Sequence, residues 1–184
     1  MSRFGYVMAT YFAAIGVVVT SLMRVPVKFI WNASASTPIG LYSLHRPHTL
    51  HVGDLVSVMP PASLARFMVE RGYIGDGVPL LKHVAALPGQ TVCRQGVVVF
   101  VDGTALGGAL THDRGGRPLP VWQGCQRIVL GQIFLMNRSV RDSFDGRYFG
   151  PLPVRSVIGR ATPIYTDDAG NDHFVWRGLR NGRS

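Results

Sequence analysis

The sequence predicts a mainly β domain with one short helix, preceded by an N-terminal transmembrane helix. Three observations lead there. An uncharged run of 20 residues, FGYVMATYFAAIGVVVTSLM (residues 4–23), opens the chain. After it, β-branched and alternating apolar stretches recur between turns that contain Gly and Pro. Only one later segment, residues 63–72, has apolar side chains at helical spacing. The 184 residues suffice for one domain plus a membrane segment, divided here into an anchor over residues 1–30 and a folded domain over residues 31–184.

As a helix, the opening run would span roughly 30 Å at about 1.5 Å per residue, the thickness of a bilayer's hydrocarbon. It is longer than the apolar stretch of a cleavable signal. We read it as a retained anchor; removal after the small residues of AAIG or TSLM is the alternative. Arg3 precedes it, and Arg24 and Lys28 follow it, so the flanking charges leave orientation open. Its place at the N-terminus suggests that the remainder is exported.

Next, HVGDLVSVMPP gives a turn and a short strand with Leu55, Val56 and Val58. In PASLARFMVERGY, Leu64, Phe67 and Met68 share a helical face, and Gly72 is a stop signal. VPLLKHVAALPGQTV reads as a strand ending in a Pro-Gly turn, and GVVVFVDGTAL as a hairpin turning at Asp-Gly. GGALTHDRGGRPLP is an exposed loop. RIVLGQIFLMN and SVIGRATPIY are later strands, and the polar tail from Thr166 is expected to fray.

The formal net charge is +9, which suits nucleic acid, anionic lipid or an acidic protein. The basic residues are scattered, with no run of the kind that binds nucleic acid, so no nucleic-acid partner is expected. The only cysteines are Cys93 and Cys125. They stand either as one disulfide of an exported domain or as two separate buried thiols. Neither has neighbours at metal-ligand spacing, and no metal is expected.

The stretch WNASASTPIGLY directly after the hydrophobic run raises the question of chemistry. In an extended segment Ser34 and Ser36 would point to one face. Ser36 could attack a carbonyl while Ser34 donates to the oxyanion that forms. The bland alternative is a small-residue stalk. A serine nucleophile needs a base. His45, His48, His51, His112 and His173 sit in polar loops or the tail and read as solvated surface. Lys82 is a better candidate. On a strand it shares a face with Leu80, Val84 and Ala86, and desolvation in an apolar row lowers the pKa of an ammonium toward neutrality. Snorkelling at a strand edge is the alternative.

In their order, SAS-TP, GDLVSV, LLKHVAALPGQTV and DSFDGRYFGPLPVRSVIGRA resemble the signal peptidase I superfamily. Within it, STPIGLY is similar to the nucleophile segment of the conjugative-transfer branch, the TraF-type pilin-maturation peptidases. The resemblance implies a signal-peptidase-like β domain with a Ser-Lys dyad. Ser36 takes the nucleophile's place and Lys82 the base's; Ser34 matches an oxyanion-hole serine. Ser143, Asp145 and Arg147 match the box that supports the lysine, although Asp145-Gly146 could equally be an ordinary tight turn. Three departures argue against a housekeeping signal peptidase. One residue is missing between Ser36 and Pro38, Asn137-Arg138-Ser139-Val140 replaces Gly-Asp-Asn-Arg, and Gln90 replaces the Asp after Pro-Gly. The resemblance also implies a pilin precursor as substrate, cyclised in some members, with no cofactor. It implies a place at the bacterial inner membrane with the domain in the periplasm, and other conjugation proteins as partners. A general type I signal peptidase and a non-catalytic assembly factor are the rivals.

Overall fold

A computed structural model describes residues 3–22 and 28–178. Helix α1 runs over Arg3–Leu22, and Phe4, Val7, Phe12 and Val17 are each more than half exposed. The expected transmembrane segment is not found as such: among the described residues no helix is long and apolar enough to cross a membrane. Met23 and Arg24 of the expected span and its flank lie outside the described residues.

Beyond α1 the chain is mainly β. One sheet has strand order β1 (Phe29–Asn32), β2 (Ile39–His45), β11 (Val157–Asp167), β3 (Leu55–Val58), β4 (Leu80–Ala86), β9 (Gln132–Leu135) and β10 (Leu152–Pro153). Its eighth strand, β12 (Val175–Trp176), pairs with β11. A second sheet orders β7 (Thr104–Gly108), β6 (Val98–Val101), β5 (Thr91–Gln95) and β8 (Gly124–Arg127). The expected hairpin turns at Asp102 and Gly103, both at positive φ, as a tight two-residue turn requires.

Two further helices bring the number among the described residues to three: α2 (Ala62–Glu70), where the helical spacing placed it, and the four-residue α3 (Gly146–Phe149). One short helix was therefore an undercount. Four residues are too few for a periodic signal. The stretch RIVLGQIFLMN is also not one strand. Gly131 takes φ +83, and the chain leaves β8 in one sheet to enter β9 in the other. The tail does not fray from Thr166, because Tyr165 and Thr166 pair with Trp176 and Val175; residues 179–184 of that expectation lie outside the described residues.

Ala85, Ala86, Val92, Val99, Val101, Phe134 and Met136 form a buried cluster that joins β4 and β9 to the second sheet. A second cluster, with Val56, Val58, Val84, Ile133 and Leu135, fills one face of the large sheet. Cys93 and Cys125 face each other across β5 and β8 and are disulfide-bonded, which settles that alternative. The bond ties down β8, whose residues are all exposed. A cross-link closing about 30 residues stabilises by roughly 3–4 kcal/mol in the chain-entropy model.

Candidate active site

The site forms where the β1–β2 connection meets β4. Residues 33–38 form a connection that turns at 35 and 36, with the Thr37 N–H donating to the Ser34 carbonyl, rather than the extended segment expected. Asn32 makes the difference. Its Nδ2 donates to the carbonyls of Ser34, Thr37 and Pro38, and its Oδ1 accepts from the Ser34 N–H. The local side chain thus competes successfully with strand geometry. The two hydroxyls still meet: Ser34 Oγ and Ser36 Oγ are 3.0 Å apart, and the Ser36 N–H donates to Ser34 Oγ at 3.3 Å. Gly40 lets β2 lie against β11, because a Cβ there would collide with the Tyr165 carbonyl.

Lys82 lies on β4 and is 4% exposed. Its Nζ donates to Ser143 Oγ at 2.7 Å and to Ser36 Oγ at 3.4 Å. Burial lowers its pKa to about 8; the Asp145 carboxylate opposes that shift and Arg147 adds to it. Such a lysine loses its proton at mildly alkaline pH. Its lone pair can then accept the proton of Ser36, which is what a general base requires.

The box beneath the lysine is built on α3. Asp145 is the N-cap and accepts the Arg147 backbone N–H. Its carboxylate also receives Arg147 Nε and Nη2, both at 2.9 Å, and the Asn137 backbone N–H at 2.9 Å. Arg147 spends its remaining donors on the carbonyls of Gly108, Asn137, Val140, Arg141 and Ser143. Both charges are buried, so each is paired and hydrogen-bonded as burial demands. Asp145 thus makes no hydrogen bond to Lys82; it acts at a distance, and Ser143 is the direct contact. Gly146 is obligatory, since a Cβ would sit 2.6 Å from the Leu135 carbonyl and from the Phe134 ring.

Phe144, between Ser143 and Asp145, is held by a layer of rings. It stacks on Phe67 of α2 at 5.7 Å and on Tyr148 at 5.2 Å, and lies 5.0 Å from Tyr73. Hydrogen bonds from Tyr73 and Arg117 hold Asp113 well below the usual carboxylate range and close this layer over the Gly-rich loop.

Of the residues singled out in the sequence, Ser34, Ser36, Lys82, Ser143, Asp145 and Arg147 are brought together. The other histidines stay apart: His45, His48, His51, His112 and His173 are exposed. Among the described residues no cluster of His, Cys, Asp or Glu could hold a metal ion. Asn137, fully buried within this site, was singled out only as a departure from a motif.

The family described as signal peptidase, peptidase S26, matches residues 1–166. The chain belongs to that signal peptidase family. It is therefore a serine peptidase. Relatives of this chain include a conjugal transfer protein TraF of Agrobacterium fabrum, 35% identical over 74% of this chain and 82% of that one. A plasmid transfer protein TraF of Escherichia coli is 32% identical over 83% of this chain and 84% of that one. A probable signal peptidase I-1 of Synechocystis is 33% identical over 65% of this chain and 55% of that one.

Proposed function

We propose that the protein is a Ser-Lys peptidase of conjugative transfer that cuts a pilin precursor and joins the new C-terminus to the pilin's own N-terminus. The observation that carries the reading is Lys82 Nζ, buried with its pKa lowered to about 8, within reach of Ser36 Oγ. The names of the TraF relatives support the conjugative setting.

Neutral Lys82 takes the proton from Ser36 as Oγ bonds to the scissile carbonyl carbon. The oxyanion is met by the Ser36 N–H and the Ser34 hydroxyl, once substrate parts them from each other. Lys82 then gives the proton to the leaving nitrogen, the C–N bond breaks, and an acyl-enzyme remains. A second amine, or water, attacks the acyl carbon as Lys82 removes its proton; the bond from that carbon to Ser36 Oγ then breaks, and Lys82 returns the proton to Oγ. A positioned intramolecular amine can have an effective molarity of about 10⁵–10⁸ M, so a pilin holding its N-terminus close would close into a ring before water intervenes. The chemistry calls on no metal or organic cofactor.

The localisation belongs to the same proposal: the inner membrane, with residues 1–30 as anchor and residues 31–184 in the periplasm. The exposed apolar side chains of α1 support this, as does the disulfide, which persists in oxidising compartments. Trp31, Phe174, Tyr165 and Trp176 add a patch of touching aromatic rings of the kind that sits at headgroup level.

Purified full-length chain, a pilin precursor and an unrelated preprotein decide the matter by intact mass. We expect a pilin product one water lighter than its linear trimmed form, and no cutting of the preprotein. Ser36→Ala and Lys82→Met should yield neither product. Linear trimmed pilin alone makes the protein a hydrolase, and cleavage of both substrates makes it a general signal peptidase. Turnover retained in Ser36→Ala rules the dyad out. A domain protected from added protease in spheroplasts rules the periplasm out.

A further inference from the structure

Asn137 joins three segments that are far apart in the chain, and none of the chemistry above uses it. Its Nδ2 lies 2.7 Å from the Ser36 carbonyl oxygen, 3.2 Å from Thr37 Oγ1 and 3.2 Å from the Leu81 carbonyl oxygen. Its Oδ1 accepts the His83 backbone N–H at 3.1 Å and lies 3.2 Å from His83 Nδ1. These neighbours fix the amide's orientation. Carbonyl oxygens only accept and a backbone N–H only donates, so the nitrogen must face Ser36 and Leu81. Through its backbone, Asn137 donates to Asp145 Oδ2 and accepts from Arg147 Nη2.

We propose that Asn137 is a positioning residue for the reaction, latching the carbonyl of Ser36 to the carbonyl of Leu81 and so setting the distance from Ser36 Oγ to Lys82 Nζ. The proposal rests on the Ser-Lys reading above. Each carbonyl belongs to a peptide group of the residue it must hold. One leaves Ser36, and the other enters Lys82. The latch therefore spans the dyad through rigid peptide planes. The dyad itself stands at 3.4 Å, the outer edge of a hydrogen bond, where a few tenths of an ångström decide whether a proton can pass. The serine turn has little else to hold it on β4. Asn32 ties the turn to itself, and Thr37 Oγ1 reaches the Leu81 carbonyl only at 3.4 Å. His83, half-buried on the other side, keeps the amide from turning over.

The test is acyl transfer from acetyl-alanine p-nitrophenyl ester to Ser36 in the full-length chain. p-Nitrophenolate release is followed across pH, with the adduct located by mass spectrometry. In Asn137→Ala the plateau rate should fall about 10²-fold, the usual consequence of displacing a reacting group by about 1 Å. The midpoint of the pH profile should stay near its wild-type value, because the burial of Lys82 is untouched. A plateau within threefold of wild type overturns the proposal. So does a midpoint that climbs toward 10.5, which would mean that Asn137 seals the lysine from water instead. If Asn137→Ala does not fold, His83→Ala decides: a 3–10-fold loss with unchanged midpoint is expected, and an unchanged rate overturns the latch. Ser36→Ala and Lys82→Met, run alongside, separate the two claims. An adduct or undiminished rate there sinks the Ser-Lys reading, whereas their inactivity beside a fully active Asn137→Ala sinks the latch alone.

Discussion

At pH 7 a lysine with a pKa of about 8 is neutral in roughly one molecule in ten. Turnover should therefore rise about tenfold per pH unit below 8 and level off above it. A kcat profile flat from pH 6 to 9 would show that a different group is the base. The same residue weakens the fold. In the unfolded chain Lys82 returns to about 10.5, so the unfolded state binds more protons between pH 8 and 10.5. The penalty is fully present below pH 8, amounts to about 3 kcal/mol, and fades as pH rises to 10.5. Lys82→Met should thus be inactive yet more stable at pH 7, by about 1–3 kcal/mol once the bond to Ser143 is given up. Thermal unfolding at pH 7 and pH 10 checks this: the gain should shrink at the higher pH. At this scale much was legible. Two serines one residue apart and a lysine in an apolar row are local patterns. Asn137 was not, because an asparagine carries no pattern, and its bond to Ser36 spans 101 residues.

Helix α2 shows what an element contributes to a site it never touches. Phe67 on its inner face presses on Phe144, whose neighbours in the chain are Ser143 and Asp145. Truncating Phe144 to Ala should remove about 2–4 kcal/mol of stability. It should also lower kcat and raise the midpoint of the pH profile, as water reaches the ammonium. Denaturant unfolding together with the pH–rate curve measures both; a lost stability with an unmoved midpoint would confine α2 to packing. Elements with a long period were readable in the sequence: β4, α2 and the β6–β7 hairpin stand where alternation, helical spacing and Asp-Gly put them. β1 and β2 were not, since FIWN and IGLYSLH adjoin the apolar run and the serine turn, which drew a different interpretation. Their pairing is decided by tertiary contacts, Asn32 to Gly40 and Thr166 to Gly40.

For the whole molecule the question is what α1 and the aromatic patch do together. Trp31 begins the ladder one strand after α1, and Trp176 closes it from β12. We expect full-length protein to sediment with anionic vesicles. Val7→Asp with Val17→Asp should release it while leaving cleavage of a soluble peptide unchanged, since both lie on α1 and the hydrogen bonds of the site come from later segments. Sedimentation unchanged by the two charges would show that α1 does not hold the protein to lipid. The mainly β character of the molecule was evident from composition and alternation. Its division into two sheets was not, because the chain changes sheet at short turns, one with Gly89 between β4 and β5 and one with Gly131 between β8 and β9, that read as ordinary strand connections.

The bonds that assemble the site join residues 46, 61 and 101 positions apart. A chain that is still being made therefore holds no protease at all. Its serine and lysine are ordinary side chains until β9 has carried residues 136–147 to β4. Such long-range contacts form late, because loop closure must precede them. A peptidase that could cut its own unfolded neighbours is thereby silent during the period when they are vulnerable. The return of turnover after refolding would mark the last contact made, well after collapse.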